Sequence, residues 1–261
     1  MGLFNKKTCD ICGEKIGLFG NRKLEDGNMC KHCAELLSPW FDERRHSTLE
    51  EIKAQLAYRE ENKKAVAAFR RTLELGENYH VIFDEDAGNF VVVTETGSRM
   101  LETVNPDVFS LSQVTGANVD IDESRSEIYR QDSEGNRQSY NPRRYRYRYN
   151  FYVNIHLSHP YVDEIRIKIN EYTLEIEWQD QGFSFFSTSS APTNDYEYRK
   201  YKNLCQEIAD KLLSGAAETQ RENQEPVKAS ADSDDTGMTT CPYCKSKVKK
   251  AKFCTNCGAE L

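Results

Sequence analysis

The clearest pattern in the chain is an alternation of apolar and polar positions over residues 144–157. Odd positions carry tyrosine, phenylalanine or aliphatic side chains, whereas nearly all even positions carry arginine, asparagine or histidine. A period of two is typical of a β-strand with one buried face. Shorter alternating stretches follow at 165–169 and 174–178 after polar turns. The sequence therefore predicts three successive antiparallel strands that form a meander.

Shorter apolar segments precede this strand. Residues 79–83 and 90–94 flank a polar turn and predict a hairpin. Residues 108–114, 119–122 and the neighbourhood of Ile128 are further strand candidates. The region before the long strand is therefore also rich in β-structure.

A helix is predicted after the strands. Apolar residues recur at helical spacing from Tyr198 to Leu213, and Gly215 is positioned to end the helix. Cys205 falls within the apolar stripe, where we expect a buried thiol and not a reactive one. About seven strands followed by one amphipathic helix is similar to the pleckstrin-homology-like (PH-like) fold. That resemblance implies a strongly bent antiparallel sheet, forming a partly open barrel, for residues 77–215.

Residues 47–75 predict a helix that connects the amino-terminal part of the chain to the strands. Ser47 and Glu50 have the spacing of a capping box, and Gly76 offers a stop. The middle of the segment, 59–64, is polar on all sides, which indicates a solvated connecting helix with a break near Asn62. A helix that binds a partner is the alternative.

Nine cysteines change this picture, because eight of them form Cys-x-x-Cys pairs. Two such pairs per cluster are the ligand pattern of a structural zinc site, in which four thiolates surround the ion. We expect two structural zinc ions and no open coordination position for catalysis. For the first quartet, a thioredoxin-like redox pair is the rival interpretation, but no βαβ pattern surrounds it. The expected ligands are Cys9, Cys12, Cys30 and Cys33 in the first quartet, and Cys241, Cys244, Cys254 and Cys257 in the second.

The first quartet resembles a treble-clef zinc finger, in which a knuckle, a hairpin and a helix supply the ligands. Residues 15–19 and 22–25 are the candidate hairpin strands, and the helix that begins around Cys33 is stopped by Pro39. Without metal this module should be unfolded or nearly so. The apolar residues expected to form its small core are Leu18, Phe19, Leu36, Leu37 and Trp40.

The second quartet has the spacing of a compact zinc ribbon. Residues 216–240 before it are polar and acidic, without apolar periodicity. The chain is 38% hydrophobic and 30% charged, which argues against one core for all 261 residues. The expected α+β architecture is a treble-clef-like zinc module (7–42), a connecting helix (47–75), a PH-like β-rich domain with its closing helix (77–215), a disordered acidic linker (216–240) and a zinc ribbon (241–261).

Charge and hydropathy narrow the possible partners and the compartment. The net charge of −7 excludes a global cationic field for nucleic acid, so phosphate binding would need a local patch. The first residues lack the apolar segment of an export signal, and no apolar run reaches the roughly 18 residues that span a bilayer. We expect a cytoplasmic protein with reduced thiols.

The arginines over 143–148 form one candidate phosphate-binding patch. On the predicted strands, Arg166 and Lys168 should pair near Asn154 and Tyr152 on the same sheet face. Carboxylates nearby should neutralise part of this charge, so a charge-paired, solvated face is favoured over a nucleic-acid or anionic-lipid site. These carboxylates are Glu164, Glu175 and Glu177. The lysines of the ribbon, which could also contact phosphate or an acidic partner, are Lys245, Lys247, Lys249, Lys250 and Lys252.

A hairpin at 156–164 is the alternative place for an enzymatic site. His156, His159, Asp163 and Glu164 could form an acid–base or metal site there, although a turn also tolerates such residues without function. No complete catalytic constellation is visible in the sequence. We therefore expect no enzymatic activity.

The segment from Cys9 to Pro39, with Cys-Asp-Ile-Cys-Gly and Met-Cys-Lys-His-Cys, resembles an uncharacterised bacterial family of domains of unknown function with an amino-terminal zinc motif. Residues 241–261 resemble the generic zinc-ribbon family. Neither resemblance implies a reaction. The favoured hypothesis is a non-enzymatic interaction protein that binds another protein, with nucleic acid or anionic lipid as the alternative partner.

Overall fold

The computed structural model describes residues 7–179, 192–224, 238–240 and 247–249. The chain divides into two compact units, Met1–Glu222 and Asn223–Leu261. The first unit contains both helices and antiparallel sheets. It therefore has the mixed helix and sheet architecture that the sequence predicts.

A small cysteine-rich module begins the first unit. Strands β1 (Arg22–Lys23) and β2 (Asn28–Met29) pair in an antiparallel ladder, and helix α1 (Lys31–Glu35) follows directly. The predicted hairpin between 15–19 and 22–25 is wrong. The reversal instead occurs between β1 and β2, because the Asp-Gly-Asn sequence before Met29 supplies the turn.

Helix α2 (Leu49–Ala68) is a continuous helix of 20 residues, without a break at Asn62. Thr48 caps it: Glu51 N donates to Thr48 Oγ1 at 3.3 Å, and Thr48 N donates to the Glu51 carboxylate at 2.7 Å. The capping box lies one residue later than predicted. The helix also ends earlier than residue 75, because Leu73 and Leu75, which were assigned to its apolar side, belong to the next strand.

The first sheet contains four antiparallel strands in chain order. The predicted hairpin of 79–83 and 90–94 is confirmed as its central pair. Two short helices, α3 (Glu95–Ser98) and α4 (Leu101–Val104), connect the third strand to the fourth. The strands are β3 (Leu73–Gly76), β4 (Tyr79–Asp84), β5 (Asn89–Thr94) and β6 (Phe109–Ser110).

The second sheet is built around one long strand that pairs along both of its edges. The strands are β7 (Val114–Gln131), β8 (Arg137–His159), β9 (Val162–Lys168) and β10 (Leu174–Gln179). Strand β7 covers one edge of β8, while β9 and β10 share the other edge end to end. The predicted meander is therefore wrong, although the expected pairing of Asn154 with Arg166 and of Tyr152 with Lys168 is confirmed.

Asn170 fills the gap between β9 and β10. Its side chain is fully buried and continues the hydrogen bonding of the shared edge. Phe151 N donates to Asn170 Oδ1 at 2.8 Å, and Asn170 Nδ2 donates to Tyr149 O at 3.2 Å and to Tyr172 O at 2.6 Å. A side-chain amide thus replaces a backbone partner where the chain leaves one strand and enters the next.

Helix α5 (Tyr196–Gln224) covers the sheets and continues beyond its predicted end at Gly215. A Cβ on Gly215 would lie 2.6 Å from Leu111 Cδ1, so glycine permits close packing there rather than a stop. The predicted linker of 216–240 consequently begins too early, since 216–224 are helical. No helix in the described part of the chain is both long and apolar enough to cross a bilayer.

Both sheets and α5 share one apolar core. The alternation of β8 is confirmed, because its odd side chains from Tyr147 to Leu157 are buried. No ladder among the described strands joins the two sheets, so they do not form a closed barrel. Representative members of the core are Phe83, Phe90, Tyr149, Ile165, Cys205 and Leu212.

In the second unit, the structure describes one antiparallel pair. Strand β11 (Met238–Thr240) pairs with β12 (Lys247–Lys249), with Thr240 opposite Lys247. The two strands flank the positions of Cys241 and Cys244 in the sequence.

Candidate metal centre

Four cysteine side chains of the amino-terminal module converge on one point. The Sγ atoms of Cys9, Cys12, Cys30 and Cys33 all lie within 4.8 Å of one another. Cys12 is exposed, and the other three are buried. The structure therefore brings together the four predicted ligands of the first quartet in a group that could bind a metal ion.

The spacing of the sulfur atoms fits a tetrahedral zinc site. The Sγ atoms of Cys9 and Cys33 are 3.9 Å apart, and those of Cys12 and Cys30 are 3.8 Å apart. Zn–S bonds of about 2.3 Å place the corners of a tetrahedron about 3.8 Å apart. A disulfide requires about 2.05 Å between the sulfurs, so these pairs are not disulfides. Both the donor type and the spacing are consistent with zinc.

Two local structures hold the sulfur atoms in place. After Cys12 the chain turns at Gly13, whose φ of +75° is a backbone conformation that favours glycine, and Gly13 N donates to Cys9 O at 2.9 Å. On the other side, Cys30 is the N-cap of α1 and accepts from Cys33 N at 3.4 Å. One pair of thiols therefore lies in a tight turn and the other at a helix start.

Backbone donors already favour negative charge on part of the cluster. Burial raises the pKa of the Cys9 thiol, but N–H groups of Cys12, Cys30 and Ile11 outweigh that effect and lower the pKa to about 6. The bond from Cys30 N to Cys9 Sγ measures 3.2 Å. Burial and the neighbouring sulfurs raise the pKa of Cys33 instead. A cation at the centre would stabilise thiolates that otherwise repel one another.

The apolar core around the cysteines differs from the predicted one. Leu18 and Phe19 are exposed, as is Leu36, while Trp40 packs against the core of the two sheets. Only Leu37 lies where it was expected. The core beside the cysteines consists of Ile16, Leu24, Met29, Leu37 and Ile52. Because Ile52 belongs to α2, the cysteine-rich module is completed by the helix that follows it.

A buried ion pair joins the module to α2 and to the first sheet. Arg59 Nη1 lies 2.7 Å from Asp107 Oδ1, and the Asp107 side chain is completely buried. Ser38 Oγ donates to Asp107 Oδ2 at 2.6 Å, and Arg59 Nε donates to Leu36 O at 3.3 Å. Arg59 Nη2 also donates to Asn105 O at 2.6 Å. We call these residues the polar junction.

Asn62 extends the polar junction by one helical turn. Its Nδ2 donates to Pro106 O at 2.6 Å, and its Oδ1 accepts from Val108 N at 2.9 Å. The polar stretch of α2 is thus partly buried, and the predicted fully solvated helix is wrong. No local pattern predicts this, because Asp107 and Val108, which pair with Arg59 and Asn62, are more than forty residues away in the sequence.

The arginine-bearing sheet face is charge-paired, as the sequence indicated. Arg146 Nη2 lies 2.7 Å from Glu177 Oε1, and Arg148 Nε lies 2.6 Å from Glu175 Oε1. Arg166 of β9 reaches across β8 to Asp120 of β7, with Nη1 2.5 Å from Oδ2. Phosphate would have to displace these carboxylates, which disfavours this face as a nucleic-acid site.

The structure does not gather all four residues of the predicted acid–base site, although His156 of β8 is the cross-strand partner of Glu164 of β9. His156 lies on the polar sheet face, with Nε2 3.2 Å from Asn118 Oδ1. His159 instead lies among aromatic rings, its centroid 5.2 Å from that of Tyr58 and 5.3 Å from that of Phe109. Burial there lowers the pKa of His159. Asp163 is exposed.

The remaining cysteines are Cys205 and the second predicted quartet. Cys205 lies fully buried on α5, and burial raises the pKa of its thiol to about 12, which agrees with an unreactive apolar residue. The second predicted quartet, together with most of the ribbon lysines, lies outside the described residues. Its zinc site stays a prediction.

Comparison with known proteins identifies one related family for part of the chain. Residues 8–55 match a family described as "Domain of unknown function (DUF4428)". The matched segment contains all four clustered cysteines and extends into α2 as far as the turn that follows Ile52, which agrees with the shared core. No curated protein and no solved structure matches the chain.

Proposed function

We propose that this chain is a non-enzymatic zinc-binding interaction protein. The convergence of four thiols at tetrahedral spacing carries this proposal. Cys9 and Cys12 in the turn, the β1–β2 hairpin, and Cys30 and Cys33 at the start of α1 form a treble-clef-like arrangement. Four thiolates fill the coordination shell, so the ion has a structural role and activates no water.

A second structural zinc ion is proposed at Cys241, Cys244, Cys254 and Cys257. The pairing of β11 with β12 supports it, because Thr240 lies opposite Lys247, on either side of Cys241 and Cys244 in the sequence, and a ribbon knuckle requires such a pairing. The full chain would then hold two zinc ions. Its free thiols suit a reducing compartment such as the cytoplasm.

The interaction surface in this proposal lies where the cysteine-rich module and α2 meet the β-rich region. Two antiparallel sheets followed by helix α5 support a PH-like arrangement. Between α1, α2 and α4 a recess of about 520 Å³ is lined by Leu36, Leu56 and Val104, and also by Arg59 and Asn105 of the polar junction. One wall of this recess belongs to the cysteine-rich module. Zinc loading would therefore set the shape of a surface that another protein can use.

The test is capture of partners by crosslinking in the native host. The chain with bound zinc should retain a protein that the Cys33→Ser variant loses, because the wall formed by α1 depends on the metal. Cys205→Ala is the matched control: it also removes a buried thiol, and capture should persist. Equal capture by wild type and Cys33→Ser would contradict a zinc-dependent interaction, and turnover of a substrate by the purified chain would contradict the non-enzymatic role.

A further inference from the structure

Leu18 and Phe19 form an apolar tip on the cysteine-rich module. Leu18 is 73% exposed and Phe19 is 88% exposed, the highest value among the large hydrophobic side chains in the described part of the chain. Gly20 N donates to Gly17 O at 3.0 Å and closes the turn that carries them. Two adjacent side chains of this size remain hydrated here, although burial in a partner would be favourable.

Cationic side chains lie around this tip. Arg22 Nη1 donates to Phe19 O at 3.3 Å, which places one guanidinium directly beside it. Arg44 Nη1 donates to Lys23 O at 2.8 Å and so adds a second guanidinium from a neighbouring 3-10 helix. Residues 15–23 contain three cations and no carboxylate. The tip is therefore apolar at its end and positive at its base.

The positive charges at the base lie close together. Burial, with the charges of Arg22 and Arg45, lowers the pKa of Arg44. An anion near these guanidinium groups would relieve their mutual repulsion.

Among the described residues, the cations around the tip are not paired with carboxylates in the way that the arginines of the sheet are. Within the described part of the chain, Lys15, Arg22, Lys23, Arg44 and Arg45 form no ion pair with a carboxylate. Two carboxylates of the same described region accept hydrogen bonds from backbone N–H groups and form no ion pair with these cations. Asp10 accepts from Asn28 N and Asp26 accepts from Leu49 N, each at 2.7 Å.

We propose that this tip binds an anionic lipid bilayer, with Leu18 and Phe19 inserted at the acyl boundary and the surrounding cations on the lipid headgroups. Amphipathic surfaces with aromatic and aliphatic residues above lysine and arginine bind membranes in this way. The proposal rests on the proposed zinc module, because the turn that carries Leu18 and Phe19 lies between Cys12 and Cys30 in the sequence. The Sγ atoms of these two cysteines are 3.8 Å apart in the candidate metal centre.

The size of the tip favours a bilayer over a folded protein. A specific protein interface covers roughly 800 Å² on each partner. Two side chains of the size of leucine and phenylalanine supply only a fraction of that area, since a large aromatic residue buries about 150–250 Å². A bilayer needs no matching pocket, and the charges add to the insertion.

Vesicle sedimentation of the full, zinc-loaded chain tests the proposal. Vesicles of phosphatidylcholine with about 30% phosphatidylserine should bind the chain, and pure phosphatidylcholine vesicles should bind it much less. Leu18→Ser/Phe19→Ser should weaken binding by about tenfold or more, because the inserted apolar area is lost. Arg22→Gln/Arg44→Gln should weaken it as well and reduce its dependence on salt.

Two controls separate this surface from the rest of the molecule. Tyr172→Ser removes another exposed ring, and Arg146→Gln/Arg148→Gln removes two paired arginines; both variants should bind as wild type does. Zinc content is measured for every variant, so loss of the metal module and loss of lipid binding are distinguished. Phe19→Trp supplies an independent readout, since its emission should shift to the blue with anionic vesicles.

Three results would overturn the proposal. The first is absence of binding to the anionic vesicles at low salt by zinc-loaded protein. The second is equal binding by Leu18→Ser/Phe19→Ser and wild type. The third is an emission of Phe19→Trp that does not shift with anionic vesicles. Capture of an acidic protein by the tip without such a shift would likewise contradict insertion into a bilayer.

Discussion

At the residue scale, the polar junction depends on the pairing of Arg59 with Asp107. Both side chains are almost completely removed from water, at 9% and 0% exposure. Removal of one member of a buried ion pair leaves an uncompensated charge and typically costs about 3–5 kcal/mol. We therefore expect Arg59→Met to lower the free energy of unfolding by about that amount in urea denaturation.

Two variants make this prediction specific. Lys63→Met breaks an exposed pair with Glu60 on the same helix and should cost less than about 1 kcal/mol. The double variant Arg59→Met/Asp107→Leu should recover part of the loss, because no buried charge then remains. A loss after Arg59→Met no larger than that after Lys63→Met would show that the junction contributes little.

Asn170 supports the shared edge of β8 by three hydrogen bonds from one side chain. Asn170→Ala leaves Phe151 N and Tyr149 O without these partners in the core, at a cost of about 2–3 kcal/mol. Thermal or urea unfolding measures the change. Asn150→Ala is the control: among the described residues its side-chain oxygen accepts from Thr173 Oγ1 at the surface, so the change in stability should be about 0.5 kcal/mol or less. Equal losses in the two variants would contradict the role given to Asn170.

Residue chemistry explains why the sequence revealed some sites and concealed others. The spacing of the cysteines predicts a metal-binding cluster, because few other functions need two Cys-x-x-Cys pairs. The first quartet was predicted in this way. Arg59 and Asn62 could not be found, because on an otherwise polar helix they look like any solvated side chains. Leu18 and Phe19 were placed in the core because hydrophobic character alone does not show which apolar residues stay exposed.

At the element scale, the β3–β4 turn depends on Gly76. Its φ is +130°, and a Cβ there would lie only 2.0 Å from Tyr79 O. We expect Gly76→Ala to destabilise the protein by more than about 2 kcal/mol, because backbone strain and a backbone clash add together. Urea unfolding monitored by circular dichroism measures this loss.

Gly135 offers a matched control for the turn. It also has a positive φ, +85°, but no atom lies within 4 Å of an added Cβ. Gly135→Ala should therefore cost only about 1 kcal/mol, from the strain alone. Similar losses at both positions would show that the clash at Tyr79 is relieved by movement of the turn.

Periodicity predicted the elements better than their connections. The strand alternation of β8 and its register with β9 follow from side-chain pattern, because burial of one face fixes both. The position of β10 does not, since an edge of 23 residues can hold two short strands and no pattern within either one shows this. Leu73 and Leu75 likewise fit a helical stripe and a strand equally well.

At the scale of the whole molecule, the metal should stabilise more than its own module. Ile52 of α2 packs on the cysteine-rich core, and the polar junction connects both to the loop before β6. Chelation of zinc should raise hydrogen exchange in β1, β2 and the first turns of α2, and to a smaller extent at 105–108. Strands β7 and β8 should keep most of their protection, because their buried side chains belong to the core shared by the two sheets and α5, and not to the cysteine-rich core. Unchanged exchange in α2 after chelation would contradict this coupling.

The boundaries between the parts of the chain could also be predicted only in part. Composition and cysteine positions indicated a cysteine-rich module and a separate β-rich core, and the structure contains a four-cysteine cluster and a core shared by two sheets. The boundary at 215 was misplaced because glycine was taken as a helix stop, whereas Leu111 needs that space for packing. Contacts between distant segments decide such boundaries, and a single sequence contains no direct record of them.

The most direct test of the proposed zinc site is the metal content of the full chain by native mass spectrometry. We expect two zinc ions in the wild-type protein, one after Cys30→Ser/Cys33→Ser, and two after the control substitution Cys205→Ala. Loss of one ion in the double variant alone would place a structural metal at the cluster of Cys9, Cys12, Cys30 and Cys33. A wild-type chain without zinc, or the same zinc content in wild type and Cys30→Ser/Cys33→Ser, would contradict it.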